Sequence, residues 1–300
     1  MFTQKLFGVV LFAALILAGC RERVQDEFPD FNSVPVVNCF LVADSLIKVH
    51  VSLAGQMDTL PLALVDNATV TCTINDSAVS KLNSVGNGNY AGDTRIRAGN
   101  VCRVNVSVPG FPEMAATDTI PHEVQLTSIR HINEAGVNEE GYPFPAIVIS
   151  FPVDPGRIQY FQVILNVNSY KEVWWPANFR DFSDTVLLAE GLPIAVFSTA
   201  RIKTSNYTLK LDYSPNSYSG SNGVIQPDLH PFVVEFKAIS YSYYQYLRQL
   251  YLYETGRFPD FGFGSYHTYP LYSNITNGMG IVAGYSTFRS ETITPQSNRP

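Results

Sequence analysis

The sequence predicts a mainly all-β protein made of two β-sandwich-like domains. Apolar residues recur at every second position in many short segments, and turn-forming residues separate these segments. Residues 34–42, 46–53, 68–74 and 101–108 are such segments, and Gly86-Asn87-Gly88 is one of the turns. Hydrophobic residues make up 46% and charged residues 15% of the 300 residues, which excludes disorder over most of the chain.

The first predicted domain covers residues 34–121. Short strands with a turn after every roughly 8–12 residues are typical of an Ig-like β-sandwich. The extended segment Asp118-Thr119-Ile120-Pro121 ends in a proline, which cannot continue a strand ladder. We therefore expect the sandwich to end there, with the polar residues 117–119 forming a hinge between separable domains.

Residues 122–300 form a second β-rich domain with one short helix. Its expected strands are LTSIRHI, AIVISF, YFQVILNV, IAVFSTARI, YTLKLDY and FVVEFKAIS. The helix is expected near residues 242–254, because Ser242 and Gln245 have the spacing of a capping box and Gly256 supplies a stop. Helical spacing assigns Tyr243, Leu247 and Leu250 to the core.

The beginning of the chain has the pattern of an export signal. Lys5 precedes an apolar run from Leu6 to Ala18 that is too short to span a membrane. The ending Leu17-Ala18-Gly19-Cys20 resembles a bacterial lipobox, which implies removal of residues 1–19 and acylation of Cys20 by membrane lipid, palmitate included. The alternative is an ordinary signal with a chance cysteine. Residues 20–33 are polar and acidic, and are expected to form a tether.

Three further cysteines, Cys39, Cys72 and Cys102, remain in the chain. An odd number in an exported protein leaves at least one thiol unpaired. Cys72 and Cys102 alternate with apolar residues, so they could form an inter-sheet disulfide or remain buried thiols, and the second alternative is favoured. With no CxxC motif and no paired histidine, no metal site is expected.

Several segments together resemble a Bacteroidota lipoprotein family, domain of unknown function 4249. These are the lipobox, VDNATV (65–70), GNGNY (86–90), RAGNVCRVNVSVPG (97–110), AISYSYYQYL (238–247) and SNITNGMGIVAGYS (273–286). The resemblance implies a surface-facing outer-membrane lipoprotein, often encoded beside a TonB-dependent transporter. The family has no assigned activity, so the resemblance implies no catalytic residues.

No motif in the sequence predicts catalysis or a cofactor. His122-Glu123 begins like a zinc-protease motif, but Leu126 stands where the second histidine is needed. Glu139-Glu140, or Asp181 with Asp184, could supply a carboxylate pair for a hydrolase, although acidic loop residues are common. The five histidines are scattered, which is typical of surface or turn positions. The glycines from Gly278 to Gly284 are expected to serve a tight turn and close backbone packing.

Aromatic residues are the strongest candidates for binding. Trp174-Trp175 precedes a proline in an expected polar loop, and Tyr266 and Tyr269 lie in a turn-rich segment. Tryptophan and tyrosine supply rigid, amphipathic contact area. We expect these four residues to contact a partner, and packing within the domain is the alternative.

Five triplets resemble the Asp-Ser/Thr-apolar acceptor of exported Bacteroidota glycoproteins. The candidate O-glycosylation residues are Ser45, Thr59, Ser77, Thr119 and Thr185. The alternative is that aspartate followed by threonine and an apolar residue simply starts strands.

The sequence thus predicts a non-enzymatic, lipid-anchored outer-membrane protein that binds a transporter or a glycan. The formal charge of −6 and the absence of a basic block argue against nucleic acid as a partner. A secreted hydrolase that uses carboxylates and a structural or adhesive pilus-like module are the alternatives.

Overall fold

A computed structural model describes residues 32–55, 62–170, 173–221, 224–256 and 269–296. Strands dominate these residues, which confirms the all-β, sandwich-like fold. The signal peptide (1–19) and most of the predicted tether (20–33) lie outside the described residues. Among the described residues, neither helix has the length and apolar character needed to cross a membrane.

The described residues form eighteen strands and two helices. The strands are β1 (Pro35–Val42), β2 (Leu46–Leu53), β3 (Ala63–Leu64), β4 (Thr69–Ile74), β5 (Ala78–Gly86), β6 (Asn89–Arg95), β7 (Val101–Ser107), β8 (Met114–Thr119), β9 (Ser128–Val137), β10 (Pro143–Pro152), β11 (Tyr160–Tyr170), β12 (Val173–Pro176), β13 (Val196–Ser198), β14 (Asn206–Asp212), β15 (Tyr218–Ser221), β16 (Val224–Pro227), β17 (Phe232–Ile239) and β18 (Met279–Arg289). The helices are α1 (Thr185–Glu190) and α2 (Tyr241–Gly256).

The N-terminal strands form a sandwich because alternate residues face one core. In β1, Val37, Cys39 and Leu41 are buried while their neighbours are more exposed. The strand β5 belongs to both layers: its first half, 78–82, pairs with β4, and its second half, 83–86, pairs with β6. Buried residues from both layers form one hydrophobic cluster, as the sequence periodicity predicted.

A second core lies between two layers. One layer is the paired strands β11 and β17, and the other is the three-stranded sheet β14-β10-β9. Three buried phenylalanines from three strands meet at its centre. The ring of Phe236 lies 4.8 Å from the rings of both Phe151 and Phe161. Offset aromatic contacts at this distance add to the free energy gained from burial.

Strand β18 joins the two cores. It pairs in parallel with β1 and antiparallel with β17, so the last described strand lies between the first strand and the second core. Residues 33–300 accordingly form one compact unit. Each side of residue 121 has its own hydrophobic cluster, but Ile275 and Val282 belong to the N-terminal one. Whether residues 34–121 and 122–300 separate as domains therefore stays a prediction.

The predicted helix exists, but its cap and its buried residue differ from expectation. α2 begins at Tyr241, and the Ser240 hydroxyl accepts a hydrogen bond from the Tyr243 amide, so the expected capping box of Ser242 and Gln245 is wrong. The fully buried residue of the helix is Tyr244. Tyr243 and Leu247 are partly buried and pack against its hydrophobic cluster, as predicted, whereas Leu250 is partly covered and outside that cluster. Helical spacing gives the face of a helix but not how deeply a neighbouring sheet covers it.

Helix α1 was not expected from the sequence. The Asp184 carboxylate caps it by accepting from the Val186 amide at 2.8 Å, and Gly191 ends it in the left-handed conformation. These two signals are present in the sequence. The apolar run between them is short enough for a strand, so the helix could not be distinguished from a strand.

Cys39, Cys72 and Cys102 are buried free thiols, as favoured from the sequence. Cys72 and Cys102 lie on the neighbouring strands β4 and β7 of one layer, where Cys72 is opposite Val104 and Cys102 is opposite Ile74. An inter-sheet disulfide is therefore excluded. Burial raises the pKa of Cys39 to about 12, which suppresses the reactive thiolate.

We expect these three thiols to resist alkylation in the folded protein. Iodoacetamide should modify them only after unfolding in urea, because all three thiols are buried and burial also keeps Cys39 protonated. Mass spectrometry of the alkylated protein measures this directly. Rapid alkylation of Cys39 in the native protein would contradict the described packing.

Candidate functional site

The tryptophan pair lies on a strand and not in the expected loop. Trp174 and Trp175 belong to β12 and pair with Asn168 and Val167 of β11. The tryptophans face opposite sides of the sheet. Trp175 is 58% exposed, whereas Trp174 is partly covered. β-Propensity explains the error, since tryptophan is a strand former.

Strand β12 is also the end of the long sheet. In the described part of the chain β12 pairs only with β11, so its other backbone edge faces no described strand. Val173, on this strand, is 43% exposed. An exposed edge with large apolar side chains can accept a strand from another protein.

Among the described contact candidates, Tyr269 is close in sequence to a residue that bonds to α2, whereas the tryptophan pair lies toward the other end of β11. The tryptophans lie near the C-terminal end of β11, whereas Tyr160 at its start stacks on α2, about 26 Å away along the strand. Tyr269 is 40% exposed and lies five residues before Asn274, which bonds to Ser242 of α2. Tyr266 lies outside the described residues. Sequence proximity to a turn could not reveal which end of the sheet each residue occupies.

A cleft of about 440 Å³ lies where β8, β11 and α2 meet. This volume is within the usual range of small-molecule sites. Buried Ile120, Phe161 and Ile239 form its floor. This cleft could not be predicted from the sequence, because its walls come from segments about 40 and 80 residues apart in the chain.

The carboxylate of Asp118 connects, by hydrogen bonds, three chain segments in and beside the cleft. One oxygen accepts from the Thr119 amide at 2.9 Å. The other accepts from the Ser240 hydroxyl at 2.5 Å and from the Gly284 amide at 2.9 Å. Burial raises the pKa of Asp118 above its ordinary value, although these three donors oppose the rise. Because both oxygens are engaged, Asp118 links β8 to β17 and β18 and is a positioning residue.

Tyrosine rings form one wall of the cleft. Tyr160 packs against Tyr244 at 4.8 Å and against Tyr241 at 5.4 Å between ring centroids. Tyr241 remains 52% exposed. The opposite rim carries the exposed side chains of His122 and Arg157. The cleft thus combines an apolar floor, aromatic rings and a cation.

A buried ion pair fixes α2 beside this cleft. The Glu190 carboxylate accepts from the Arg248 guanidinium at 2.8 Å, from the Ser198 amide at 2.7 Å and from the Tyr244 hydroxyl. Arg248 also donates to the Glu190 carbonyl oxygen at 2.9 Å. Side-chain exposure is 9% for Glu190 and 23% for Arg248. These contacts set the position of Tyr244 and hence of the ring wall.

The expected carboxylate pairs of a hydrolase have other roles. Asp184 caps α1 and accepts from the Tyr207 hydroxyl at 3.0 Å, while Asp181 is exposed. Glu139 and Glu140 lie in the exposed turn between β9 and β10. In the described ranges, no cluster of three or more histidine, cysteine or acidic side chains is suited to a metal ion.

His131 is not the surface histidine that the sequence suggested. Its ring bonds to the Tyr213 hydroxyl and the Asn133 side chain, both at 2.9 Å, and packs 5.4 Å from Phe232. Burial lowers the pKa of His131, although the bond to Asn133 opposes this. Its strand β9 covers the second core, which single-sequence spacing could not show.

The candidate O-glycosylation residues differ in accessibility. Ser77, Thr119 and Thr185 are exposed, Ser45 is partly buried, and Thr59 lies outside the described residues. Thr119 also lines the cleft. Ser45 and Ser77 directly precede strands β2 and β5, so these two triplets do start strands, whereas Thr185 begins helix α1.

We expect a glycan on at least one of the exposed triplets. The measurement is the intact mass of protein purified from native membranes, compared with Ser77→Ala and Thr185→Ala variants. A mass that equals polypeptide plus lipid alone would refute this expectation.

Comparison with known proteins gives a family and several distant structural neighbours. The model of a family described as Domain of unknown function (DUF4249) matches residues 21–291. A solved structure of a DUF4785 family protein from Legionella pneumophila is similar at 10% identity with a TM-score of 0.26, covering 68% of this chain and 52% of that one. The chain thus spans about half the length of that protein. No curated protein matches the sequence.

Proposed function

The chain belongs to the DUF4249 family, and we propose that it is a lipid-anchored accessory binding protein of the bacterial outer membrane. In this proposal, acylated Cys20 holds the chain at the membrane, with its folded part facing the cell surface. The partner is an outer-membrane transporter of the TonB-dependent type. The protein contributes binding and no catalysis.

The observation that carries this proposal is the exposed edge of β12. Trp175 is 58% exposed on a strand whose outer backbone edge faces no described strand. Tryptophan is among the residues that contribute most to protein interfaces. A partner strand could add to this edge through backbone hydrogen bonds while Trp175 fills a pocket of the partner. The exposed Val173 would extend the apolar contact.

The proposed anchor supports a weak interface of this kind. The predicted tether between Cys20 and the first described strand spans at most about 45 Å when extended. Confinement to the membrane surface raises the effective concentration of the two proteins, so a small contact area suffices. A soluble protein with the same edge strand would need a larger interface to remain bound.

We expect Trp175→Ala to weaken co-purification of the transporter without unfolding the protein. The side chain is largely exposed, so its removal should leave the melting temperature within about 2 °C of wild type. The measurement is quantitative mass spectrometry of proteins retained with the tagged chain from native membranes. Val85→Ala is the matched control, because Val85 is 67% exposed on a strand of the other core.

The anchor is tested separately with Cys20→Ala. We expect this variant to remain as unprocessed precursor or to be released as soluble protein. A Cys20→Ala chain that is still processed and still sediments with the outer membrane would rule out the anchor. Equal retention of the transporter by wild type, Trp175→Ala and Val85→Ala would rule out the β12 contact.

A further inference from the structure

The cleft between β8, β11 and α2 has charged and amide donors that are less engaged than its charged and amide acceptors. Three of its side-chain acceptors are already engaged within the protein. Both oxygens of Asp118 accept from protein donors, and the Gln159 side-chain oxygen accepts from the Asp154 amide at 2.9 Å. The Tyr241 hydroxyl accepts from Gln245 at 2.6 Å.

The donors of the cleft are less engaged. The Arg157 side chain is 62% exposed, and its ion pair in the described chain joins Nε to Asp154 at 3.3 Å. This contact leaves the outer edge of the guanidinium facing solvent. His122 is exposed on the same rim, and no described residue accepts from the Gln159 side-chain nitrogen. A ligand that complements these groups must be rich in acceptors.

From this arrangement we infer that the cleft binds a small organic carboxylate with an aromatic or branched apolar body. A guanidinium donates two parallel hydrogen bonds to a carboxylate, which makes this pairing specific as well as strong. A neutral sugar fits less well, because it has no charge to pair with the Arg157 guanidinium. The carboxylate is therefore placed at Arg157.

The rest of the cleft suits the apolar body of such a ligand. Tyr241 and Ile158 are 52% and 57% exposed at its mouth. The rings of Tyr160 and Tyr241 are inclined at 55°, so a ring lying on Tyr241 meets Tyr160 at an angle favourable for aromatic contact. Exposed side chains of this size lose their contact with water when a ligand covers them.

Asp118 does not prevent an anion from binding. Among the described residues that line the cleft, Asp118 is the single acidic residue. Its two oxygens point toward the donors of Thr119, Ser240 and Gly284, which spread its negative charge over the protein. Arg157 lies on a different segment, before β11.

The carboxylate could belong to a free acid or to the C-terminus of a peptide, since both present the same headgroup. Two pairs of probes distinguish these sources: 3-phenylpropionate with its amide, and N-acetyl-glycyl-phenylalanine with its amide. Binding of each probe to the full-length chain in detergent is measured by titration calorimetry and by ligand-observed NMR.

We expect at least one acid to bind about tenfold or more tightly than its amide. Arg157→Gln should remove this preference. Arg289→Gln is the control and should retain it, because Arg289 is similarly exposed (59%) but lies at the end of β18, outside the cleft. Tyr241→Ala should weaken the binding of both the acid and its amide. Tyr241→Phe should bind both like wild type, because the ring is kept.

The inference fails if neither acid binds at about 10 mM, if acid and amide bind equally, or if Arg157→Gln binds the acid as wild type does. It does not depend on β12. Trp175→Ala should bind the probes normally, and Arg157→Gln should retain the transporter, so failure of this site and failure of the proposed partner contact are separate results.

Discussion

Replacing Gly280 with alanine is expected to destabilise the protein by about 3 kcal/mol or more. Gly280 has a φ of +108°, and an added Cβ would lie 2.1 Å from the Val37 carbonyl oxygen. This oxygen is backbone in the pairing of β18 with β1, so it cannot move without disturbing the strand. The added methyl group would therefore force β18 away from β1. Equilibrium unfolding in urea measures the effect.

Gly110→Ala is the control for Gly280→Ala. Gly110 also has a positive φ, +84°, but nothing lies within 4 Å of its added Cβ. It should cost only the backbone strain of about 1–2 kcal/mol. If both variants lose the same free energy of unfolding, the close approach of β18 to β1 is incorrect.

Replacing Arg248 with methionine is also expected to lower the free energy of unfolding strongly. The change removes the donors to Glu190 but keeps most of the aliphatic stem, leaving a carboxylate that is 9% exposed without its cation. Breaking a buried ion pair from one side typically costs about 3–5 kcal/mol, and the 23% exposure of Arg248 places the expected loss near the lower value. Helix α2 should also loosen, because Arg248 bonds to the Glu190 backbone.

Arg289→Met is the matched comparison. Arg289 pairs with Glu235 at 3.5 Å, but its side chain is 59% exposed. An exposed pair contributes about 0–1 kcal/mol. Unfolding in urea should therefore separate the two variants by about 2 kcal/mol or more. Equal loss would mean that the Glu190–Arg248 pair is solvated, and that it does not hold the ring wall of the cleft.

Strand periodicity predicted most of the fold because each strand buries alternate residues. The segments 34–42, 46–53, 68–74 and 101–108 were recognisable because β-branched residues alternate on one buried face. Strand β5 was missed because Val79 and Val85 are exposed and its small polar residues weaken the pattern. Local periodicity does not report pairing partners, so the insertion of β18 between β1 and β17 could not be predicted.

The role of the glycines near the C-terminus could be predicted from the local sequence. A tight turn and close backbone packing were predicted, and both are confirmed. Asn277 has a φ of +58°. Added Cβ atoms at Gly280 and Gly284 would lie 2.1 Å from Val37 and 2.4 Å from Thr119, measured to their carbonyl oxygens. Val37 and Thr119 lie about 245 and 165 residues earlier in the chain than Gly280 and Gly284, respectively.

The candidate site was less predictable than the fold. Trp175 was chosen for its residue type and for an expected loop position; the loop was wrong, but the side chain is exposed. The cleft was missed because Asp118, Arg157 and Tyr241 come from three distant segments and none belongs to a local motif. Nothing in the local sequence of Asp118 indicates that it is buried or that Ser240 and Gly284 are its partners.

The most direct test of the proposed function is site-specific photo-crosslinking in living cells. Benzoylphenylalanine would replace Trp175 in one strain and the equally exposed Val85 in another. We predict a crosslink from position 175 to a TonB-dependent outer-membrane transporter, and none from position 85. Absence of a transporter crosslink from position 175 in correctly localised protein, or equal crosslinks from both positions, would contradict the proposal that β12 is the docking edge.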